Sequence, residues 1–310
     1  MPSNPSIAAL CDRILRRDPR AIARAATLME AQSAAGRQVL ATLFPQTGRA
    51  PIIGITGPPG AGKSTLTNSL TKSLREAGRT VGIIAVDPSS AYTKGALLGD
   101  RLRMEAHHGD SGVFIRSMAT RGHLGGVAAG TLDLALLLDA SGYDMVLIET
   151  VGVGQDEIDI TRLADVTVVV LIPGYGDDVQ AIKAGIMEIA DVFAINKADL
   201  PGVERLENEI RAMQGLAHPP SGQIAPLCRV IATTGHGVPE LLAAIDSYAK
   251  GRDAPQKQTA KWVARLQEML CAQMLAEVPT EEWNRRAEDV ARRMEDPYAA
   301  IEKLRARILG

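Results

Sequence analysis

The sequence predicts a three-layer α/β domain, built on a mainly parallel sheet and flanked by helical extensions at both ends. Three observations carry this. Between Pro51 and Lys250, short apolar runs alternate with stretches of helical periodicity. Several of those runs are apolar at successive positions, as strands buried on both faces of a parallel sheet must be. On either side of that stretch, apolar residues recur only at helical spacing.

The N-terminal extension spans residues 1–48. Helical spacing holds over 7–44, and Asp18-Pro19 marks a start within it, because Asp caps free amides and proline suits the first helical position. Ile22, Ala26 and Met29 then share one face, and Thr47-Gly48-Arg49 reads as a linker. The central domain spans 49–250. Its strand candidates are Ile52–Thr56, Val81–Asp87, Val113–Ser117, Met145–Glu149, Val166–Ile172, Val192–Asn196 and Leu227–Ala232. Helical segments 63–77, 127–140, 177–189 and 203–213 supply the crossovers that parallel neighbours require.

Residues 251–310 contain no strand candidate. Trp262, Leu266, Met269, Leu270 and Met274 form one helical stripe, which Pro279-Thr280 interrupts. Trp283, Ala287, Val290 and Met294 form a second, and Asp296-Pro297 opens a third helix with Ile301, Leu304 and Ile308. Such stripes must be covered. Two coverings are open: the chain's own α/β domain, or a second copy joined through a dimerisation arm.

With 310 residues and 46% hydrophobic residues, the chain can bury a sizeable core. A net charge of −2 gives no general attraction to nucleic acid or to a membrane surface, so neither is an expected partner. Cys11, Cys228 and Cys271 are odd in number and far apart, which argues against a disulfide framework. No apolar run reaches the ~18–20 residues of a membrane span. The start lacks the apolar core of a secretory signal, although Arg13, Arg16, Arg17, Arg20 and Arg24 leave a transit peptide open. A cytoplasmic location is the expectation.

The strand 52–56 runs into Gly57-Pro58-Pro59-Gly60-Ala61-Gly62-Lys63-Ser64, which fits GxxxxGK(S/T) at every fixed position and opens a helix. Glycines let the backbone turn so that its N–H groups face phosphate oxygens, and the helix N-terminus adds its dipole. Lys63 is placed for the β- and γ-phosphates, Ser64 for Mg²⁺, and Thr65 offers a further hydroxyl and amide.

Asn196-Lys197-Ala198-Asp199 matches NKxD at the end of another strand, where ligands of open α/β sheets bind. Asp199 can accept from guanine N1–H and the exocyclic amine. Adenine has neither proton there, so GTP/GDP is the expected ligand. Lys197 would lay its stem over the ring, and Asn196 would tie this loop to the phosphate loop. Thr233-Thr234-Gly235 follows the last strand and offers backbone to the guanine carbonyl.

Glu149-Thr150-Val151-Gly152 resembles a DxxG element with Glu in place of Asp. Glu149 is placed to hold Mg²⁺ through water, and the Gly152 amide to meet the γ-phosphate. Asp87 ends a strand on the same sheet edge; it suits a metal-bound or attacking water, or caps the turn before Pro88. Gln155 lies at an offset that leaves its role open. The segment around Lys94 and Asp100 reads as a first switch or as a solvated polar face. Asp177 and Asp178 sit in an acidic glycine-rich loop, with Lys183 one turn further on.

Together, GPPGAGKST at 57–65, VDPSS at 86–90, GDRLRM at 99–104, ATRGHLGG at 119–126, ETVGVGQDE at 149–157 and NKAD at 196–199 resemble the MeaB/ArgK GTPases. RDPRAIARAATLME at 17–30 and DPYAAIEKL at 296–304 extend the likeness over nearly the whole chain. The resemblance implies a SIMIBI-type P-loop G domain and a homodimer joined through the C-terminal extension. It also implies slow GTP hydrolysis stimulated by a partner, an adenosylcobalamin-dependent acyl-CoA mutase such as methylmalonyl-CoA mutase. In that family GTP use gates cofactor delivery and protects the mutase. Lys63 and Ser64 then hold phosphate and Mg²⁺; Asp87, Asp100 and Glu149 surround the metal and switches; Asp199 reads guanine; 173–183 resembles a third switch communicating through Lys183. Competing classes are a metal-insertion GTPase of the nickel type, for which His107-His108 is the one adjacent histidine pair, and a kinase or ATPase energising a transport system.

Overall fold

Among the described residues, seven strands form one sheet in which every neighbouring pair is parallel. The structure is a computed structural model, and it describes residues 5–87, 107, 109–119, 126–150, 160, 163–174, 189–216, 224–251 and 255–309. The strands are β1 (Ile52–Thr56), β2 (Val81–Asp87), β3 (Val113–Ala119), β4 (Met145–Thr150), β5 (Val166–Leu171), β6 (Val192–Ile195) and β7 (Leu227–Arg229). Their spatial order is β3-β2-β4-β1-β5-β6-β7. β7 stops earlier than its apolar run suggests, because Ile231 turns away to bridge His236 antiparallel.

Helical spacing over 7–44 resolves into α1 (Pro5–Leu15), α2 (Pro19–Glu30) and α3 (Ala34–Leu43). The breaks fall at Arg17 and Gln32, whose φ angles of 59° and 50° no helix interior tolerates. Asp18 accepts from the Arg20 and Ala21 amides and Ser33 from the Gly36 amide, so each new helix starts on a side-chain cap.

Side chains alternate across the strands and give the sheet two apolar faces. On one face, Ile53, Ile55, Ile83, Leu147, Val168 and Val170 meet α4 (Lys63–Glu76) and α7 (Val238–Lys250). Leu66, Leu70 and Leu74 of α4 are fully buried there, each worth roughly 2 kcal/mol. On the other face, Val169, Leu171, Phe193 and Ile195 meet α6 (Val203–Leu216), while α5 (Gly126–Ala140) covers β2 and β4. A Cβ on Gly82 would strike Leu138 of α5 at 2.8 Å, so glycine is what permits that close approach.

α5 is nearly all apolar because it is covered twice: by the sheet, and on its outer side by α2 and α3. Asp139 fastens the linker beneath them, accepting from the amides of Gly48, Arg49 and Ala50. Glu30 of α2 holds Arg116 of β3 bidentately at 2.6 and 2.7 Å.

Asp133 is a second acid in α5, half-buried. Burial pushes its carboxyl up to about 6, against a Gln32 hydrogen bond and the Arg37 charge. Above its ordinary value of 3.8 the folded state therefore binds the extra proton, and stability falls as pH rises from about 4 to about 6. Asp133→Asn is expected to raise the unfolding free energy at pH 7.5 by ~2–3 kcal/mol and to remove that slope. Melting curves of both proteins across this window check it; superimposable pH profiles would refute it. Asp110 and Asp144 act oppositely and lower down: their stabilisation is lost as pH falls through values below 3.8. The Arg75 hydrogen bond depresses Asp110, and at Asp144 burial is outweighed by hydrogen bonds from Thr80.

At the amino end of the sheet an aspartate precedes each of three strands and clasps the neighbouring strand. Asp144, before β4, accepts from the Thr80 amide at 2.7 Å; Asp165, before β5, from Ile52 at 2.9 Å; Asp191, before β6, from Thr167 at 2.8 Å. Each also returns its own amide to the partner's carbonyl.

The chain divides into two compact units, Met1–Asp253 and Ala254–Gly310. The second consists of α8 (Pro255–Ala276), α9 (Thr280–Ala291) and α10 (Pro297–Leu309). Asp296 caps α10 through the Tyr298 and Ala299 amides. Glu282 holds Arg285, Arg286 and Arg307, and Glu295 holds Arg286 and Lys303. Val278, Ala300 and Leu304 are buried, whereas Leu266, Met269 and Leu270 of the α8 stripe are exposed. Among the described residues, no helix is long and apolar enough to cross a membrane.

Candidate functional site

β1 delivers the chain into Gly57 at the carboxyl edge of the sheet, and the loop turns back into α4 at Lys63. The turn needs glycine at two places. Gly57 has φ 139°, and a Cβ there would run into the Val170 carbonyl oxygen. Gly62 has φ 85°, and a Cβ would sit 2.5 Å from Asn196 Nδ2. Gly62 also stands at the N-cap of α4 without a capping side chain, so the first amides of α4 point out of the helix end. That concave row of N–H groups is a cradle for an anion.

Lys63 is buried, and its ammonium donates to the carbonyls of Gly57 at 2.7 Å and Pro58 at 3.0 Å. It thus lies folded across the loop it would clear to reach a phosphate. The Ser64 hydroxyl donates to Glu149 Oε1, which brings the end of β4 onto the start of α4. A hydroxyl and a buried carboxylate in direct contact form the hard oxygen pair that suits Mg²⁺, so the residues fit such an ion. Pro59, Gly60 and Thr65 are exposed at the mouth.

Asn196 joins this loop to two others. Its Nδ2 donates to the Ala61 carbonyl at 2.8 Å, and its Oδ1 accepts from the Ala232 amide at 3.1 Å. Lys197, held at φ 54°, reaches back to the Gly60 carbonyl at 3.0 Å. Asp199 is exposed just beyond, in the turn closed by Leu200 N to Lys197 O. Thr233, Thr234 and Gly235 form the neighbouring turn, with Gly235 at φ 80° and its amide on Ile231 O. The structure therefore brings together Gly57–Ser64, Glu149, Asn196, Lys197, Asp199 and the 233–235 turn on one edge of the sheet.

Asp87 closes β2, on the strand next to β4. Lys94, Asp100, His108, Gly152, Gln155, Asp177, Asp178 and Lys183 lie outside the described residues. Two participants were missed in the sequence. The Ala232 amide carries no side-chain signal. The Thr150 hydroxyl, on Thr56 at 3.2 Å, had one: a threonine closes each of two mainly apolar runs, with a glycine one or two residues beyond it.

A glycine cradle leading from a parallel strand into a helix, tied by one amide to a second loop at the same edge, defines a P-loop NTPase. Residues 22–286 match the family described as "Methylmalonyl Co-A mutase-associated GTPase MeaB". The chain belongs to the MeaB/ArgK family of GTPases. A Pyrococcus horikoshii protein named as a candidate GTPase is 44% identical over 97% of this chain and 98% of its own length. "GTPase ArgK" of Escherichia coli is 44% identical over 60% of this chain and 58% of its own. "Methylmalonic aciduria type A homolog, mitochondrial" of Mus musculus is 38% identical over 67% and 52%. Among solved structures, "Crystal structure of LAO/AO transport system kinase" aligns over 100% of both chains at 27% identity and TM-score 0.68. Membership implies guanine-nucleotide binding.

Proposed function

We propose that this chain hydrolyses GTP and uses the cycle to gate adenosylcobalamin loading on a cobalamin-dependent acyl-CoA mutase, with methylmalonyl-CoA mutase the first candidate. The observation that carries the GTP reading is the Asn196 bridge, which fixes the phosphate loop and the Asp199 turn in one frame. The mutase reading rests on the matched family's description and on the name of the mouse relative.

In this mechanism the N–H groups of 60–64 take the phosphate oxygens, and Lys63 exchanges two carbonyl acceptors for the β- and γ-phosphates. Ser64 and Glu149 would hold Mg²⁺, with Asp87 and Asp100 as further carboxylates toward the attacking water. When bound, Mg²⁺ supplies Lewis-acid neutralisation of developing phosphate charge. Asp199 accepts from the guanine edge and Lys197 covers its ring. Gly152, Gln155 and the 173–183 loop, with Asp177, Asp178 and Lys183, are proposed as the segments that report the γ-phosphate to the partner. The exposed α8 stripe supports a homodimer through 251–310, for which light scattering at twice the chain mass is expected.

Affinity capture from the source cell, with a non-hydrolysable GTP analogue and GDP in parallel, tests the partner. Nucleotide-dependent recovery of a cobalamin mutase is the expected result; recovery of a nickel enzyme instead would favour metal insertion. A transport-system kinase is a second reading, favoured by the name of the aligned structure. It requires ATP to compete with GTP and phosphate to appear on protein.

A further inference from the structure

Thr56 is the last residue of β1 and Thr150 the last of β4, adjacent strands in register at Ile55 and Glu149. Both side chains are buried, at 0% and 1% exposure, and the Thr150 hydroxyl donates to that of Thr56 at 3.2 Å. Burial of both side chains means that a hydroxyl losing its partner stays desolvated. The rest of β1 is Ile52-Ile53-Gly54-Ile55, and β4 before Glu149 is Met145-Val146-Leu147-Ile148. Valine would fill either threonine position as well, and the backbone ladder already pairs the strands. The hydroxyls are therefore an added, directional tie at one point.

That point is where the phosphate loop leaves the sheet and where β4 presents Glu149. Gly57, whose carbonyl receives Lys63, follows Thr56 directly. Glu149, which receives Ser64, immediately precedes Thr150. Resting on the GTPase reading above, we propose that the Thr56–Thr150 hydroxyl pair is a positioning contact that sets Glu149 against Ser64 for the Mg²⁺-triphosphate state. It holds the end of β4 to the phosphate loop's take-off and touches no ligand itself. Its loss lets Glu149 drift relative to Ser64, which matters for the metal-dependent part of binding and little for the diphosphate cradle.

The test is a double-mutant cycle of Thr56→Val and Thr150→Val in the full chain, with Thr150→Ser as the variant that keeps the hydroxyl. A fluorescent non-hydrolysable GTP analogue and GDP are titrated with and without Mg²⁺. Thr150→Val is expected to weaken Mg²⁺–GTP-analogue binding ~10-fold while Mg²⁺-free GDP binding moves less than about twofold. Thr56→Val should match it, the double variant should be no worse than either single one, and Thr150→Ser should restore most of the Mg²⁺ effect. Equal losses for both ligands, additive losses, or a change confined to melting temperature would overturn the proposal and leave the GTPase reading standing. A wild-type chain that binds no guanine nucleotide would overturn that reading first, a result no threonine variant can mimic.

Discussion

Lys63→Ala is expected to reduce GTP turnover by at least ~100-fold while the chain stays folded. The size follows from position. The ammonium is the cation at the closed end of the amide cradle, buried and already stripped of water by the Gly57 and Pro58 carbonyls. Exchanging those carbonyls for phosphate oxygens costs little desolvation, so its full charge acts on the transferring group. Alanine leaves two backbone carbonyls and no charge. The same substitution removes a buried ammonium, so no large loss of thermal stability accompanies it. Phosphate release at saturating GTP, with a melting curve as control, decides the matter. Wild-type turnover in the variant would take Lys63 out of the site, and joint loss of turnover and fold would make the residue structural.

Asp199→Asn is expected to lower GTP affinity by ~10³-fold and to favour xanthosine nucleotides over guanosine ones. A carboxylate accepts twice and so pairs with the N1–H and amine of guanine. An amide presents one acceptor and one donor, which suits the 2-carbonyl of xanthine. The loop can make this choice because it is held rigidly: Lys197 sits in the left-handed region, its amine on Gly60, and Asn196 is fastened at both ends of its amide. Competition of GTP, XTP and ATP against one labelled nucleotide measures it. Unchanged GTP affinity would remove Asp199 from base recognition, and ATP competing as well as GTP in the wild type would remove the base site altogether.

Much of the fold was legible because most strands are short apolar runs and most helices periodic ones. β1 and β2 begin and end where their runs do, and Asp18 caps α2 as its sequence implies. The glycine cradle was legible for the same reason: a local motif with strand before and helix after. What escaped depends on distant contacts. Nothing in the residue types at Arg17 or Gln32 announces a left-handed turn; packing of α1, α2 and α3 on one another imposes it. The Ala232 amide matters because β6 and β7 put it beside Asn196, and a backbone amide leaves no trace in sequence. Apolar spacing in α8 left its covering open between the α/β domain and a second copy; Leu266 and Leu270 are exposed in the single chain, so periodicity described the helix and not its neighbour.

The three aspartates at the amino end of the sheet bear on the opposite end as well. A strand with one wet face carries its alignment in its alternation, since a one-residue slip would turn the wrong side chains outward. β5 and β6 are buried on both faces and, but for Thr167, apolar, so no alternation of polarity fixes the alignment of either. Asp165 and Asp191 supply the missing information, because a carboxylate on one named amide is satisfied in a single alignment. A slip would carry each strand about 3.3 Å along its neighbour. That exceeds the 2.8 Å from Asn196 to the Ala61 carbonyl, so the phosphate loop and the Asp199 turn would part. Two acids at one end thus act as fiducial marks for the other, and their replacement should show first as misalignment of the nucleotide loops rather than as loss of core.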